Sequence, residues 1–159
     1  MTLRRVAQSF STAVVVALVA GCSGLKPYPN DGAVKNVTIR TAASSGSMFS
    51  SVKVELDVHG VDATCAARYL GTLQLDQASV MVSLPPGRGS LLTFQFLSSS
   101  FLGGSRGSIS RQVFVTPRPD QRYEIDVSYR DDLYDVVVRE RVRHDALREV
   151  ALRDLSACR

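Results

Sequence analysis

Tryptophan is absent from this chain, and histidine occurs only twice, at His59 and His144. The first absence removes the commonest sugar-stacking platform. The second leaves no pair at metal-ligand spacing: His59 falls on the polar phase of a strand pattern, His144 lies in a charged turn, and both read as surface histidines. Cysteine is scarce as well, at positions 22, 65 and 158. The two later cysteines stand far apart and lack the close C-x-x-C pairs of a zinc site. Long apolar runs are missing: the longest pure one, residues 13–20, is eight residues, against about 20 for a spanning helix. No internal repeat is evident, low complexity is confined to serine-rich loops at 43–51 and 98–108, and no cofactor is expected.

The length of 159 residues leaves room for one domain, and 45% hydrophobic with 21% charged residues is an ordinary folded composition. The first 21 residues have the layout of an export signal. Arg4 and Arg5 form a positive start, residues 10–20 an apolar stretch, and Ala20 and Gly21 are small. The order Leu18-Val19-Ala20-Gly21-Cys22 resembles the lipobox of bacterial lipoproteins. That resemblance implies a thioether-linked diacylglycerol on Cys22, cleavage before it and acylation of the new amino group. Several chains on one residue anchor a protein essentially permanently, where a single chain holds it marginally. Ser23 stands where such lipoproteins carry Asp for inner-membrane retention, so the resemblance points to the outer membrane, facing the periplasm.

Loss of Arg4 and Arg5 with the signal lowers the formal charge from +4 to +2. Export also places Cys65 and Cys158 in an oxidising compartment, where the single available pairing is a disulfide; two free buried thiols are the alternative. Residues 22–33 are Pro/Gly/Asn/Asp-rich and aperiodic, and read as a lipidated tether before a domain at 34–159. Eleven such residues reach at most roughly 35–40 Å.

Within the domain, period-2 alternation dominates. Val52, Val54, Leu56 and Val58 alternate with Lys53, Glu55, Asp57 and His59. Leu92, Phe94 and Phe96 alternate with Thr93 and Gln95, and Tyr123, Ile125, Val127 and Tyr129 with Glu124, Asp126, Ser128 and Arg130. These are half-buried strands. Weaker strands fall at 34–42, 69–75, 79–84, 109–116 and 134–141. Pro85-Pro86-Gly87, Pro117-Arg118-Pro119-Asp120 and Arg130-Asp131-Asp132-Leu133 supply turns. Near the end, Leu147, Val150, Ala151, Leu155 and Cys158 share a helical face, yet Glu149-Val150-Ala151-Leu152 also fits the return arm of a hairpin; the reading leans to the strand. The expectation is all-β, an antiparallel sandwich of about seven to nine strands. The PPGR turn at 85–88 and the Y-x-I-x-V-x-Y strand at 123–129 resemble the small immunoglobulin-like or transthyretin-like sandwiches of periplasmic lipoproteins, over roughly residues 69–134.

Candidate chemistry is sparse. Gly103-Gly104-Ser105-Arg106-Gly107 matches G-x-S-x-G, but in hydrolases that motif is an elbow in a parallel α/β sheet, and here it reads as a hairpin loop. A serine hydrolase would need Ser105 with His144, and the chain is expected not to be an enzyme. Asp131, Asp132 and Asp135 cluster at a turn without the spacing of a calcium loop. Between positions 88 and 122 stand Arg88, Arg106, Arg111, Arg118 and Arg122 with one acid, Asp120. Several could share one end of a sandwich and contact an anionic glycan, lipid or acidic partner; export removes nucleic acid from consideration. The leading expectation is an accessory module docking another envelope protein by a sheet edge or loop end.

Overall fold

The computed structural model describes residues 25–32, 34–43, 50–100, 106–130, 133–142 and 146–158. Cys22, Ser105, Asp131, Asp132 and His144 lie outside them, so the expected lipid-anchor position, the residues a hydrolase would need and two of the three clustered aspartates fall outside the described residues.

Among the described residues nine strands carry the fold: β1 Val37–Ala43, β2 Ser50–Val61, β3 Ala67–Gln74, β4 Ser79–Val82, β5 Gly89–Ser100, β6 Arg106–Val115, β7 Arg122–Arg130, β8 Leu133–Arg141 and β9 Leu147–Val150. They form two sheets, one of five strands in the order β4-β1-β7-β8-β9 and one of four in the order β3-β2-β5-β6. The alternating residues explain the layering. On β2 and β5, Val54, Leu56, Val58, Leu92, Phe94 and Phe96 point inward and are buried; Ile39, Ile125, Val127, Val136 and Val138 meet them from the other sheet in one core. Each such side chain contributes about 1.5–3 kcal/mol by leaving water. Tyr123 and Tyr129 belong to the same core, as their strand phase predicts. The fold is thus an all-β sandwich, with one departure from a purely antiparallel pattern: β1 runs parallel to β7, pairing Val37 with Tyr123 through Ala43 with Tyr129.

The C-terminal alternatives resolve by position. Residues 147–150 return as β9 against Val138 to Arg141 of β8, and a short 3-10 turn, Leu155–Cys158, follows. Cys65 and Cys158 form a disulfide with a Cα–Cα distance of 5.8 Å. Cys65 sits in the β2–β3 turn at φ 64°, a left-handed conformation unusual for a side-chain-bearing residue. Asp62 holds that turn: its Oδ1 accepts from the Thr64 amide (2.8 Å), the Thr64 hydroxyl (2.6 Å) and the Ala66 amide (3.0 Å). These donors, the Thr64 hydroxyl foremost, hold its carboxyl below the usual carboxylate range.

The expected tether differs most from its reading. Residues 26–30 belong to the domain. The Thr72 amide donates to the Lys26 carbonyl (2.8 Å) and the Tyr28 amide to the Thr72 carbonyl (3.0 Å), along the outer edge of β3. Tyr28 is buried and its hydroxyl donates to the Ser83 carbonyl at 2.7 Å. Burial, and then the charge of Asp31, push that phenol above its ordinary range, keeping it a neutral donor. Asn30 donates to the Met81 carbonyl (2.8 Å) and accepts from the Ser83 amide (2.9 Å). The segment lacks periodicity because its contacts are made by backbone and two polar side chains, so a pattern search passes over it.

Candidate functional site

A sandwich of two open sheets has four edge strands, and each exposes unpaired N–H and C=O groups unless something covers them. Here the chain covers part of one flank, at Thr72 of β3 and at the end of β4. The strap at 26–30 takes the outer edge of β3 through Lys26 and Tyr28, and that of β4 through Tyr28 and Asn30. Gly71 makes this possible: a Cβ there would stand 2.5 Å from the Tyr28 Cα. On the other flank, β9 is only four residues long. Beyond it the chain crosses to the second sheet, where the Phe114 amide of β6 donates to the Arg153 carbonyl at 2.7 Å. The disulfide then fixes this crossing segment to the β2–β3 turn.

Past that single bond β6 is open. Residues 106–112 are exposed at every position, although Ile109 and Arg111 lie on the same strand phase as buried Val113. The reason is length: β9 pairs only with Val138 to Arg141, and β8 from Leu133 to Val137 has no further neighbour among the described residues. Successive residues of a strand direct their backbone groups to opposite sides. Phe114 points its amide outward, so Gln112, Ser110 and Ser108 do the same, while Val113, Arg111 and Ile109 point theirs toward β5. Beside this edge sit Ile109, 40% exposed, and Tyr134, whose ring centroid is 5.6 Å from that of Phe96.

The five sequence-picked arginines do not form one group. Arg88, Arg118 and Arg122 lie at the end bearing the β4–β5 turn and the β6–β7 loop, where the Gly87 amide donates to the Pro117 carbonyl at 2.7 Å. Arg111 and Arg106 lie on β6 itself; Arg106 pairs with Ser99 and Val115 with Ser90, nine register steps and about 30 Å apart. A fourth arginine, Arg68, joins the first three, lining the same surface hollow as Arg88. Its signal in the sequence was weak, since it is remote from them in the chain.

Other polar groups serve structure. Glu124, 3% exposed, accepts from Arg141 and lies 2.7 Å from Arg40; Arg139 pairs with Asp126 and Arg148 with buried Glu140. On the outer face of the four-stranded sheet, Asp57 accepts from Thr72 and Gln95, Thr72 shares a bond with the Tyr69 hydroxyl (2.6 Å), and the His59 ring lies 5.5 Å from that of Tyr69. Both oxygens of Asp57 are engaged by neutral donors, an arrangement that ties three strands together and offers no nucleophile. Asp135 accepts from the amide of Val136 at 2.9 Å. No protein-family model, curated protein or solved structure matches the chain.

Proposed function

We propose that this chain is an exported envelope lipoprotein, held to the outer membrane by acylated Cys22, whose sandwich docks an extended segment of another envelope protein along the open edge of β6. The observation that carries the docking reading is the asymmetry of the edges. The strap bonds Thr72 of β3 and the end of β4, β9 is short, and among the described strands β6 presents the longest open stretch, residues 106–112, against 133–137 on β8. Strand addition uses the backbone groups of Ser108, Ser110 and Gln112, each bond contributing about 0.5–1.5 kcal/mol net. Ile109 and Arg111 then contact alternate side chains of the incoming segment. β6 carries Arg106 and Arg111 and no acid, so pairing with β6 of a second copy sets like charges against each other, and a segment bearing carboxylates is favoured.

The test is a photoreactive residue placed at Ser108 or Gln112 in intact cells, with exposed Gln74 on β3, next to the strap, as control. A discrete protein adduct from the β6 positions and none from Gln74 supports the proposal. No adduct from β6, or equal capture from both sides, contradicts it.

A further inference from the structure

We propose that the end of the sandwich bearing Arg68, Arg88, Arg118 and Arg122 lies on the membrane and binds the phosphates of anionic phospholipid headgroups. This rests on the reading of Cys22 as the anchor.

The four arginines bracket the Pro85-Pro86-Gly87 turn. Arg68 and Arg88 line a hollow on one side of it; Arg118 and Arg122 line a second on the other, with Val34, Met81 and Pro86. All four side chains are exposed, and none has an ion pair among the described residues. The carboxylates that could neutralise them are engaged elsewhere: Glu124, Asp126 and Glu140 serve Arg40, Arg141, Arg139 and Arg148. Of the acids near this end, Asp62 is bonded into its own turn, Asp154 accepts from Ser156, and Asp120 and Asp31 are exposed. Met81 and Val34 are 59% and 68% exposed beside the guanidinium groups. Exposed apolar side chains among unpaired cations suit the headgroup boundary, where the former enter the acyl margin and the latter meet phosphate.

The strap supplies the orientation. A free eleven-residue tether would let any face approach the bilayer. Lys26 is instead fixed on Thr72, and the bridge between Pro27 and Thr72 is parallel, so the strap enters Lys26 from the side of the start of β3, where Arg68 lies. Whatever path residues 22–25 take, four peptide units span at most about 14 Å. Thr72 and Arg68 are themselves separated by four residues of strand, about 13 Å. The acyl chains on Cys22 are therefore held within about 14 Å of Lys26, a reach that takes in the arginine end. The open stretch of β6 then begins about 10 Å from that end and extends to about 30 Å, clear of the headgroups for its partner.

The natural lack of tryptophan gives a clean reporter. Full-length chain purified from membranes, carrying Met81→Trp or, at the opposite end, Leu133→Trp, is reconstituted into phosphatidylglycerol or phosphatidylcholine vesicles with brominated acyl chains. Expected is strong quenching of the Met81→Trp emission in phosphatidylglycerol, weak quenching in phosphatidylcholine and at high salt, and none for Leu133→Trp. Replacing the four arginines by Gln should weaken the surface contact about fivefold per arginine removed, while the protein stays vesicle-bound through its lipid. The salt titration of Met81→Trp reads the same contact with every arginine in place. Equal quenching at both positions, or an unquenched Met81→Trp on vesicle-bound protein, overturns the proposal. The mass of the Cys22 peptide reports the anchor separately. If it carries no acyl chains, the anchor reading fails; sedimentation with phosphatidylglycerol vesicles with Met81→Trp quenched then still supports the arginine face, and failure to sediment overturns it.

Discussion

The amide of Phe114 donates to the carbonyl of Arg153 at 2.7 Å, and this bond marks where the open edge of β6 begins. There the outward amide of the edge meets a backbone carbonyl from another segment. From Gln112 back to Arg106 the same groups recur at the same phase with nothing on them among the described residues.

The strap depends on Gly71. Gly71→Ala places a methyl group 2.5 Å from the Tyr28 Cα and 2.7 Å from the Pro27 carbonyl carbon, both backbone, so residues 27–28 must move. Burial of Tyr28 is lost with the two Thr72 bonds, and the expected destabilisation is at least about 2 kcal/mol. Thermal melting should fall by roughly 4 °C per kcal/mol, and hydrogen exchange at the Thr72 amide should accelerate. An unchanged Thr72 exchange rate would show that the strap tolerates the methyl.

The disulfide closes a long loop of 93 positions. Cys158→Ser should cost about 2–4 kcal/mol. It should also free the crossing segment, so that the Phe114 amide exchanges faster and the open edge lengthens. Mass mapping without reductant should find no alkylatable Cys65 or Cys158 in the folded protein; recovery of both as free thiols would contradict the structure.

The turn that presents Cys65 titrates with Asp62. Its carboxyl is held below its ordinary value of 3.8, so the stabilisation it gives is fully present above that value and is lost as pH falls through the lowered one. The stability difference between the native chain and Asp62→Asn should stay constant from pH 7 to about pH 5. It should shrink below the ordinary carboxylate range. Denaturant midpoints across pH read this directly, and a difference that grew on acidification would reverse the sign.

For the anchor, Cys22→Ser followed by fractionation is decisive. The variant should no longer enter the membrane fraction as the native chain does. A variant processed and retained on membranes like the native chain would remove the lipid from the account.

Much of the fold was legible because burial imposes a period of two. Val54, Leu56 and Val58 on β2 and Ile125 and Val127 on β7 announce their phase, and Cys65 and Cys158, the two cysteines after Cys22, have one partner each. Four features were not legible, each for a physical reason. The strap at 26–30 holds by backbone bonds and the amide of Asn30, which leave no periodic trace. The parallel pairing of β1 with β7 is a matter of chain path, and the alternation of Val37 and Ile39 is the same in either direction. The arginines looked like one cluster because turns at opposite ends of a sandwich have similar composition; only register places Arg106 about 30 Å from Arg118's end. The open edge of β6 was hidden for a related reason, since exposure of Ile109 and Arg111 follows from the shortness of β9, not from their own strand.

The central claim, docking by the backbone of β6, is tested most directly at Ser110. Its amide points outward, so Ser110→Pro removes a donor from the open edge without removing a bond to β5, and proline is tolerated on edge strands. With the photoreactive residue at Ser108, the account predicts that Ser110→Pro abolishes the protein adduct in intact cells while Ser110→Ala leaves it unchanged, both variants retaining the native disulfide. Adduct formation that survives Ser110→Pro, or that is lost equally in Ser110→Ala, would contradict docking through the backbone edge.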